Sequence, residues 1–354
     1  MADDDVRDIA KTDVVFLGAG FSKAATDGSA PIMADFFAEL DRRKYWELWS
    51  FLDQLTGNPR LANVEHTLLT LDQLAISPLE GVEPFFDEVR ARHQRVRKEL
   101  DSYILERLGT IKFPPDNWAA QVLHGASSTT TVVTTNYDNL AERILSQQKG
   151  LRHRTPNTNC HHCKLCAILD DECKCNGGMS LDEAWRGSLL KLHGSISWRR
   201  CANLECGTQQ CLLPDQHCRV FSNETCITCG SECGPVLVPP SMVKTFDKFR
   251  GLKQVWNAAY QALSVARSII FWGFSFPTSD VLISQMLRSA LTTKKRSLEI
   301  GIIDLYPSKP ADALEALLGD SEDDIKIYTY EVPQSGERPK WLVSDTEVGV
   351  ESRR

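Results

Sequence analysis

The chain has 354 residues, enough for one large α/β domain with insertions or for two average domains. Its formal net charge of -7, without a long Lys/Arg block, argues against a general nucleic-acid-binding surface, so no direct nucleic-acid partner is expected. The longest apolar run, around residues 269–276, is far too short to span a membrane, and no membrane partner is expected. The acidic opening Met-Ala-Asp-Asp-Asp does not read as a signal peptide, so the expected location is cytoplasmic. In a reducing compartment the 12 cysteines are poor disulfide material, which makes metal ligation the preferred account of any regular spacing.

The first predicted element is a short apolar strand over 14–17 that stops at Gly18 and runs into a small-residue turn through Ala19, Gly20 and Ser22. Glycines there let a ligand approach the main chain, and a helix following the turn would offer its first N–H groups to an anion such as a pyrophosphate. A plain tight βα turn is the alternative. Residues 33–40 are expected to be helical. Leu61, Val64, Leu68, Leu71 and Leu74, and then Val96, Leu100, Ile104 and Leu108, recur at three- and four-residue spacing. They predict a helical insertion over 41–115, broken near Ser77-Pro78 and closed by Pro114-Pro115. The stripes read as the module's own core, with a cover over the nucleotide site or an oligomer surface as further uses.

Residues 130–135 form the next strand, rich in β-branched side chains and ending in Asn136-Tyr137-Asp138-Asn139, with a helix running to about 146. A polar, cysteine-bearing stretch follows over 151–178. Residues 188–192 read as a buried strand ending at His193-Gly194-Ser195, and a second cysteine-rich stretch runs from Cys201 to Cys233. The two stretches define a cysteine-rich insertion over 151–235. A strand over 236–238 is stopped by Pro239-Pro240, and a long helix extends to about 267. The strand over 268–272 breaks at Gly273-Phe274-Ser275-Phe276-Pro277 and leads to a helix carrying Val281, Met286 and Leu287. A strand over 298–303 ends in Asp304, and one over 325–332 is the last.

Strands that alternate with helices and are apolar nearly throughout indicate an α/β fold, a parallel sheet with helices on both faces. The whole of 1–354 is expected to be one domain built around that sheet. In open α/β sheets ligands bind at the carboxyl edge of the strands. Asn136, Asp138, His193, Ser195, Ser275 and Asp304 would gather there.

Read in order, the strand-end motifs are Gly-Ala-Gly-Phe-Ser (18–22), Thr-Thr-Asn-Tyr-Asp (134–138), Lys-Leu-His-Gly-Ser (191–195), paired cysteines, and Gly-Phe-Ser (273–275). This resembles the sirtuin superfamily, in particular its divergent sirtuin-like branch, over most of the chain from Val14 to Asp304. The resemblance implies a Rossmann-like sheet that binds NAD in an inverted position and cleaves the bond between nicotinamide and ribose. It assigns Gly18, Ala19, Gly20 and Ser22 to the phosphate-binding turn, and Asn136 and Asp138 to the nicotinamide side of the pocket. It makes His193 the catalytic histidine, assisted by Asn136. Gly273 and Ser275 fall on the adenosine side, and Asp304 is placed to bond the adenosine ribose.

A histidine suits that chemistry because its ordinary pKa lies near neutral pH. Asn136, Asp138 and Ser22 have the alternative role of helix caps. Hydride-transferring enzymes want a third glycine and an acidic residue after the second strand. Here Lys23 holds the glycine position and the following region reads as helical, which argues against a dehydrogenase.

Cys226-x-x-Cys229 leads through a glycine and a proline into a strand, as in the sirtuin zinc module, and its partner pair would be Cys201 and Cys206. Such a set makes a tetrahedral structural zinc site. Cys211, Cys218 and Cys233 are competing ligands. Cys160, Cys163, Cys166, Cys173 and Cys175, with His161 and His162, are dense enough to suggest a second zinc at Cys160, Cys163, Cys173 and Cys175, a thiol-rich loop being the alternative.

Deacylating sirtuins follow the zinc module with a Phe-Gly-Glu strand that pairs with the acyl-lysine peptide. This chain has Val238-Pro239-Pro240-Ser241-Met242 instead, and proline cannot donate the ladder hydrogen bonds an added peptide needs. The Gly-Ile-Pro-Asp-Phe-Arg segment is also replaced, by Ala-Pro-Ile-Met-Ala-Asp-Phe over 30–36. Water is therefore the expected acceptor, which implies hydrolysis of NAD to nicotinamide and ADP-ribose, as in the NAD-depleting effectors of bacterial anti-phage defence found in the divergent branch. A protein-lysine deacylase and a non-catalytic NAD or ADP-ribose sensor are the alternatives. Such a hydrolase must be held inactive until triggered, so a homo-oligomer or a regulatory partner protein is expected.

Overall fold

Val14–Leu17 (β1) is buried at all four positions, as an apolar run without polar alternation requires of a strand covered on both faces. The computed structural model describes residues 12–76, 85–114, 116–126, 129–146, 189–201, 209–211, 225–226, 229–239, 250–292, 297–319, 324–333, 339 and 352–353. In it β1 is an interior strand of a sheet. It is flanked by Thr131–Thr134 (β2) on one side and Ser268–Trp272 (β7) on the other. Leu189–Lys191 (β3) pairs with β2, while Ser297–Asp304 (β8) and Asp324–Glu331 (β9) extend the sheet beyond β7. These six strands are parallel, and Ser352–Arg353 (β10) adds antiparallel to β9. Numbered among themselves, the parallel strands lie in the order 3-2-1-4-5-6 of a doubly wound Rossmann sheet. Strand order therefore reverses between β1 and β7, and the carboxyl edge at such a switch point is where open sheets of this kind bind ligands.

The alternation of side chains along β1 builds two cores. Val14 and Phe16 join a cluster with Arg250–Val265 (α7), Val281–Thr292 (α8) and Ser308–Leu318 (α9) on one face. Val15 and Leu17 face the other way, onto Ala19–Ala24 (α1), Trp118–His124 (α5) and Leu140–Ser146 (α6). A third cluster belongs to Trp46–Thr56 (α2), Val64–Ile76 (α3) and Phe85–Gly109 (α4). It also takes in Tyr137, Ile196 and Leu237, so the helical region is packed directly on the loop that follows β2 and on two strands of a second, smaller sheet.

Gly194–Cys201 (β4), Gln209–Cys211 (β5) and Cys233–Leu237 (β6) form a separate antiparallel sheet in the order β5-β4-β6. The strand expected over 236–238 is thus longer and joins this second sheet. Strands β4, β5 and β10 and helices α5 and α9 were not expected from the sequence, so the strand over 325–332 is not the last.

One predicted helix is not formed. Residues 33–39 are a succession of turns, with Asp35 N–H on Ile32 O, Ala38 N–H on Asp35 O and Leu40 N–H on Phe37 O. The Asp35 carboxylate takes the Ile32 N–H at 2.7 Å and the Lys23 ammonium at 3.0 Å, and Tyr103 Oη donates to Phe36 O at 2.9 Å. Tyr103 occupies the Phe36 carbonyl that a helix would offer to the Leu40 N–H, which bonds Phe37 O instead, while Phe36, Phe37 and Leu40 still bury their apolar faces.

Candidate functional site

The switch point is built by close backbone contact. Gly18 N–H donates to Trp272 O at 2.9 Å and Gly20 N–H to Gly273 O at 3.0 Å, so the turns after β1 and β7 are laced together. A Cβ on Gly18 would fall on the Gly273 carbonyl, and one on Gly20 would come within 2.7 Å of Gly273 Cα. Gly273 itself has φ of 61°, in the left-handed region that favours glycine. Ala19 is exposed and starts α1, so its N–H is among those a helix start leaves without an intrahelical acceptor. Ser275 is exposed beyond Gly273 on the same loop. Phe276, which follows, has φ of 50°; its ring packs 4.9 Å from both Phe271 and Phe274, which holds this strained residue in place.

The β2 side is built from polar side chains. Asn136 Nδ2 donates to Gly18 O and to Ser22 Oγ, both at 2.9 Å. Gly18 O can only accept, which fixes the amide orientation and turns Oδ1 away from the glycine turn. Ser22 Oγ in turn donates to Asp138 Oδ2 at 2.8 Å, and Asp138 Oδ1 takes the Leu140 N–H at 2.9 Å. The predicted residues Gly18, Ser22, Asn136 and Asp138 thus form one hydrogen-bonded relay. Ser22 and Asp138 are buried, and burial pushes the Asp138 carboxyl above the ordinary range despite the nearby Lys191 ammonium and its bonds to Leu140 and Ser22.

Behind the relay lies a buried charge network that the sequence reading missed. Lys191, fully buried on β3, bonds to Asp138 O and reaches Glu142 Oε1 at 2.8 Å; Ser195 Oγ donates to the same oxygen at 3.1 Å. A lysine inside an otherwise apolar strand was the available signal, since a buried ammonium requires a partner.

His193 follows β3, one strand from Asn136. Leu192 N–H on Thr134 O and Ile196 N–H on Tyr137 O stitch its turn to the Asn136 turn, at 2.8 and 2.9 Å. Gly194, with φ of 83°, lets the chain reverse against Val236. The His193 ring is buried, lies 6.0 Å from the Tyr137 ring, and places Nε2 at 2.6 Å from Asp280 Oδ2. Asp280 is a second residue the sequence reading passed over. Its signal was local: an aspartate just before the apolar helix pattern of α8, where a cap is expected. Asp304, one strand beyond β7, uses Oδ1 to accept the Tyr306 N–H at 3.0 Å in a local turn, and the structure gives it no bond to the other predicted residues.

Of the predicted zinc ligands, Cys206 lies outside the described residues, as does the whole 160–175 cluster. Cys201 stands opposite Cys233 in the β4–β6 pairing, Cys226 is buried and Cys229 exposed. Among the described residues no group of three or more His, Cys, Asp or Glu side chains converges as a metal site.

Fold and site together define a doubly wound α/β protein with a glycine seam and an adjoining polar relay at its switch point. The SIR2-like domain profile matches residues 130–318, over half of the chain, and the chain belongs to that family. A solved Sir2 homolog–NAD complex is 16% identical, with a TM-score of 0.42, over 88% of this chain and 90% of that one. A structure titled for the mechanism and regulation of Sir2 enzymes is 13% identical at a TM-score of 0.42, over 93% and 91%. A Sir2 homologue mutant bound to 2'-O-acetyl ADP ribose is 16% identical at 0.40, over 88% and 92%. Among curated proteins none matches. No described helix is long and apolar enough to cross a membrane.

Proposed function

We propose that this site binds NAD and hydrolyses its nicotinamide–ribose bond, releasing nicotinamide and ADP-ribose. The observation that carries this reading is the Asn136–Ser22–Asp138 relay on the glycine seam, with the buried His193 on a turn stitched to the Asn136 turn. In this reading the pyrophosphate lies along residues 18–20, the adenosine extends toward Ser275 and Asp304, and nicotinamide sits on the Asn136–Asp138 side. Asn136 Oδ1 orients the attacking water and faces the oxocarbenium-like ribose. His193 takes the proton as the water oxygen bonds to the anomeric carbon and the carbon–nitrogen bond breaks. Asp138 stays behind the relay and holds Ser22 and Asn136 in register.

Water rather than an acyl-lysine peptide is favoured as acceptor by the main chain after β6. Val238 N–H is already bonded to His193 O at 2.9 Å and Val238 O to Tyr137 Oη at 3.1 Å, and Pro239 has no N–H. An added peptide strand would have to displace the site's own loops. The reading extends to a regulated, NAD-depleting defence effector in the cytoplasm, with an oligomer or partner as the control. It also includes a structural zinc at Cys201, Cys206, Cys226 and Cys229; no catalytic step runs through that metal.

The test is incubation of purified protein with NAD, alone and with extract of the host cell, followed by product analysis. Nicotinamide and ADP-ribose should appear in equal amounts, and Asn136→Ala and His193→Ala should each lower turnover by about 10²-fold or more. Unaltered turnover in both variants would sink the assignment. A strict requirement for an acylated peptide would identify a deacylase instead, and tight nucleotide binding without turnover a sensor.

A further inference from the structure

Asp280 is held more firmly than a helix cap requires. Its Oδ1 accepts the Ile283 N–H at 3.2 Å, its own N–H donates to Pro277 O at 3.1 Å, and its carbonyl takes the Ser284 N–H at 3.0 Å. The first turn of α8, with the positive end of its dipole, favours the ionised carboxylate. Oδ2 remains for the imidazole of His193, 87 residues earlier in the chain, and both side chains are almost wholly buried. A carboxylate can only accept, so the 2.6 Å contact requires Nε2 of His193 to carry its proton. The lone pair of the neutral ring is then on Nδ1.

We infer that Asp280 is the positioning residue of this site: it fixes the tautomer and orientation of His193 so that Nδ1 is the nitrogen that accepts the proton. The inference rests on the reading of His193 as the base, and it adds which nitrogen acts and what sets it. It also explains how the loop from Gly273 to Asp280 can serve both ends of the site. The start of that loop packs on the phosphate turn, its strained Phe276 is clamped by Phe271 and Phe274, and its end grips His193. When the proton arrives on Nδ1, the resulting imidazolium keeps Nε2–H on the Asp280 carboxylate, an ion pair formed only as the reaction proceeds.

The test is Asp280→Asn, which keeps the shape and a cap-competent side chain but removes the anion. Its amide serves either Ile283 N–H and the wrong His193 tautomer, or His193 at the cost of the cap. The expected result is a kcat lowered by about 10²–10⁴-fold with NAD affinity and KM nearly unchanged. Nitrogen-15 NMR of the ring, assigned with His193→Gln, should show protonated Nε2 and unprotonated Nδ1 in the wild type at about pH 8, altered in Asp280→Asn. A wild-type ring protonated on Nδ1, or an Asp280→Asn enzyme of normal kcat and tautomer, overturns the inference. If Asp280→Asn does not fold, the wild-type tautomer decides alone. Because the NMR result needs no turnover, a protein that shows the expected tautomer yet never cleaves NAD would defeat the hydrolase reading while leaving the His193–Asp280 assignment standing.

Discussion

The two halves of the carboxyl edge are made by opposite means. Between β1 and β7 the chain removes side chains altogether, and Gly18, Gly20 and Gly273 bring two backbones into direct contact. Between β2 and β3 it buries charge, with Lys191, Glu142 and Asp138 sealed behind Asn136. The first half joins main chain to main chain; the second fixes a few side chains against a low-dielectric interior. Errors of different kinds should therefore break them. The glycine seam is sensitive to volume, and the charge network to loss of a partner.

The largest effect is expected from Lys191→Met. It strands the buried Glu142 carboxylate and should cost about 3–5 kcal/mol in chemical denaturation. Adding Glu142→Leu should recover most of that loss, because the pair as a whole can be replaced by apolar packing. If the double variant were no better than the single, the network would be a packing feature rather than a charge pair.

Gly273→Ala tests the other half. The new Cβ would overlap Phe21 N and Gly20, at a backbone angle that alanine disfavours, and a loss of about 1–3 kcal/mol is expected. NAD affinity should fall with it, since the turn at 18–20 must move. Stability equal to wild type would show that the two turns need not touch.

Asp138→Asn is the mildest and separates charge from shape. Burial raises the Asp138 pKa in the folded state, so between the unfolded value and the folded one the native protein holds more protons. Stability contributed by protonated Asp138 is complete below the unfolded pKa, about 3.9, and is lost as pH rises through the folded value. The asparagine amide can accept from Leu140 N–H or from Ser22 Oγ but not from both, so a lower melting temperature than wild type is expected in acid. The deficit should narrow as pH rises through the folded Asp138 pKa, and a deficit that grew with rising pH would contradict the shift.

Sequence alone determined much of this protein. The apolar runs over 14–17, 268–272 and 298–303 dictated buried parallel strands, because a strand without polar alternation has no face to turn to water. The glycines and polar residues just after those strands marked the carboxyl edge, where open sheets bind ligands. Tertiary structure decided the rest. Residues 33–39 turned away from helix when Tyr103, from α4, claimed the Phe36 carbonyl, a competition no local pattern contains. Lys191 acquired its meaning only beside Glu142, and His193 acquired Asp280 from a loop three parallel strands away in the sheet. A spacing rule reports what lies three or four residues apart; the pairs that orient these side chains are 49 and 87 residues apart, and folding alone brings them together.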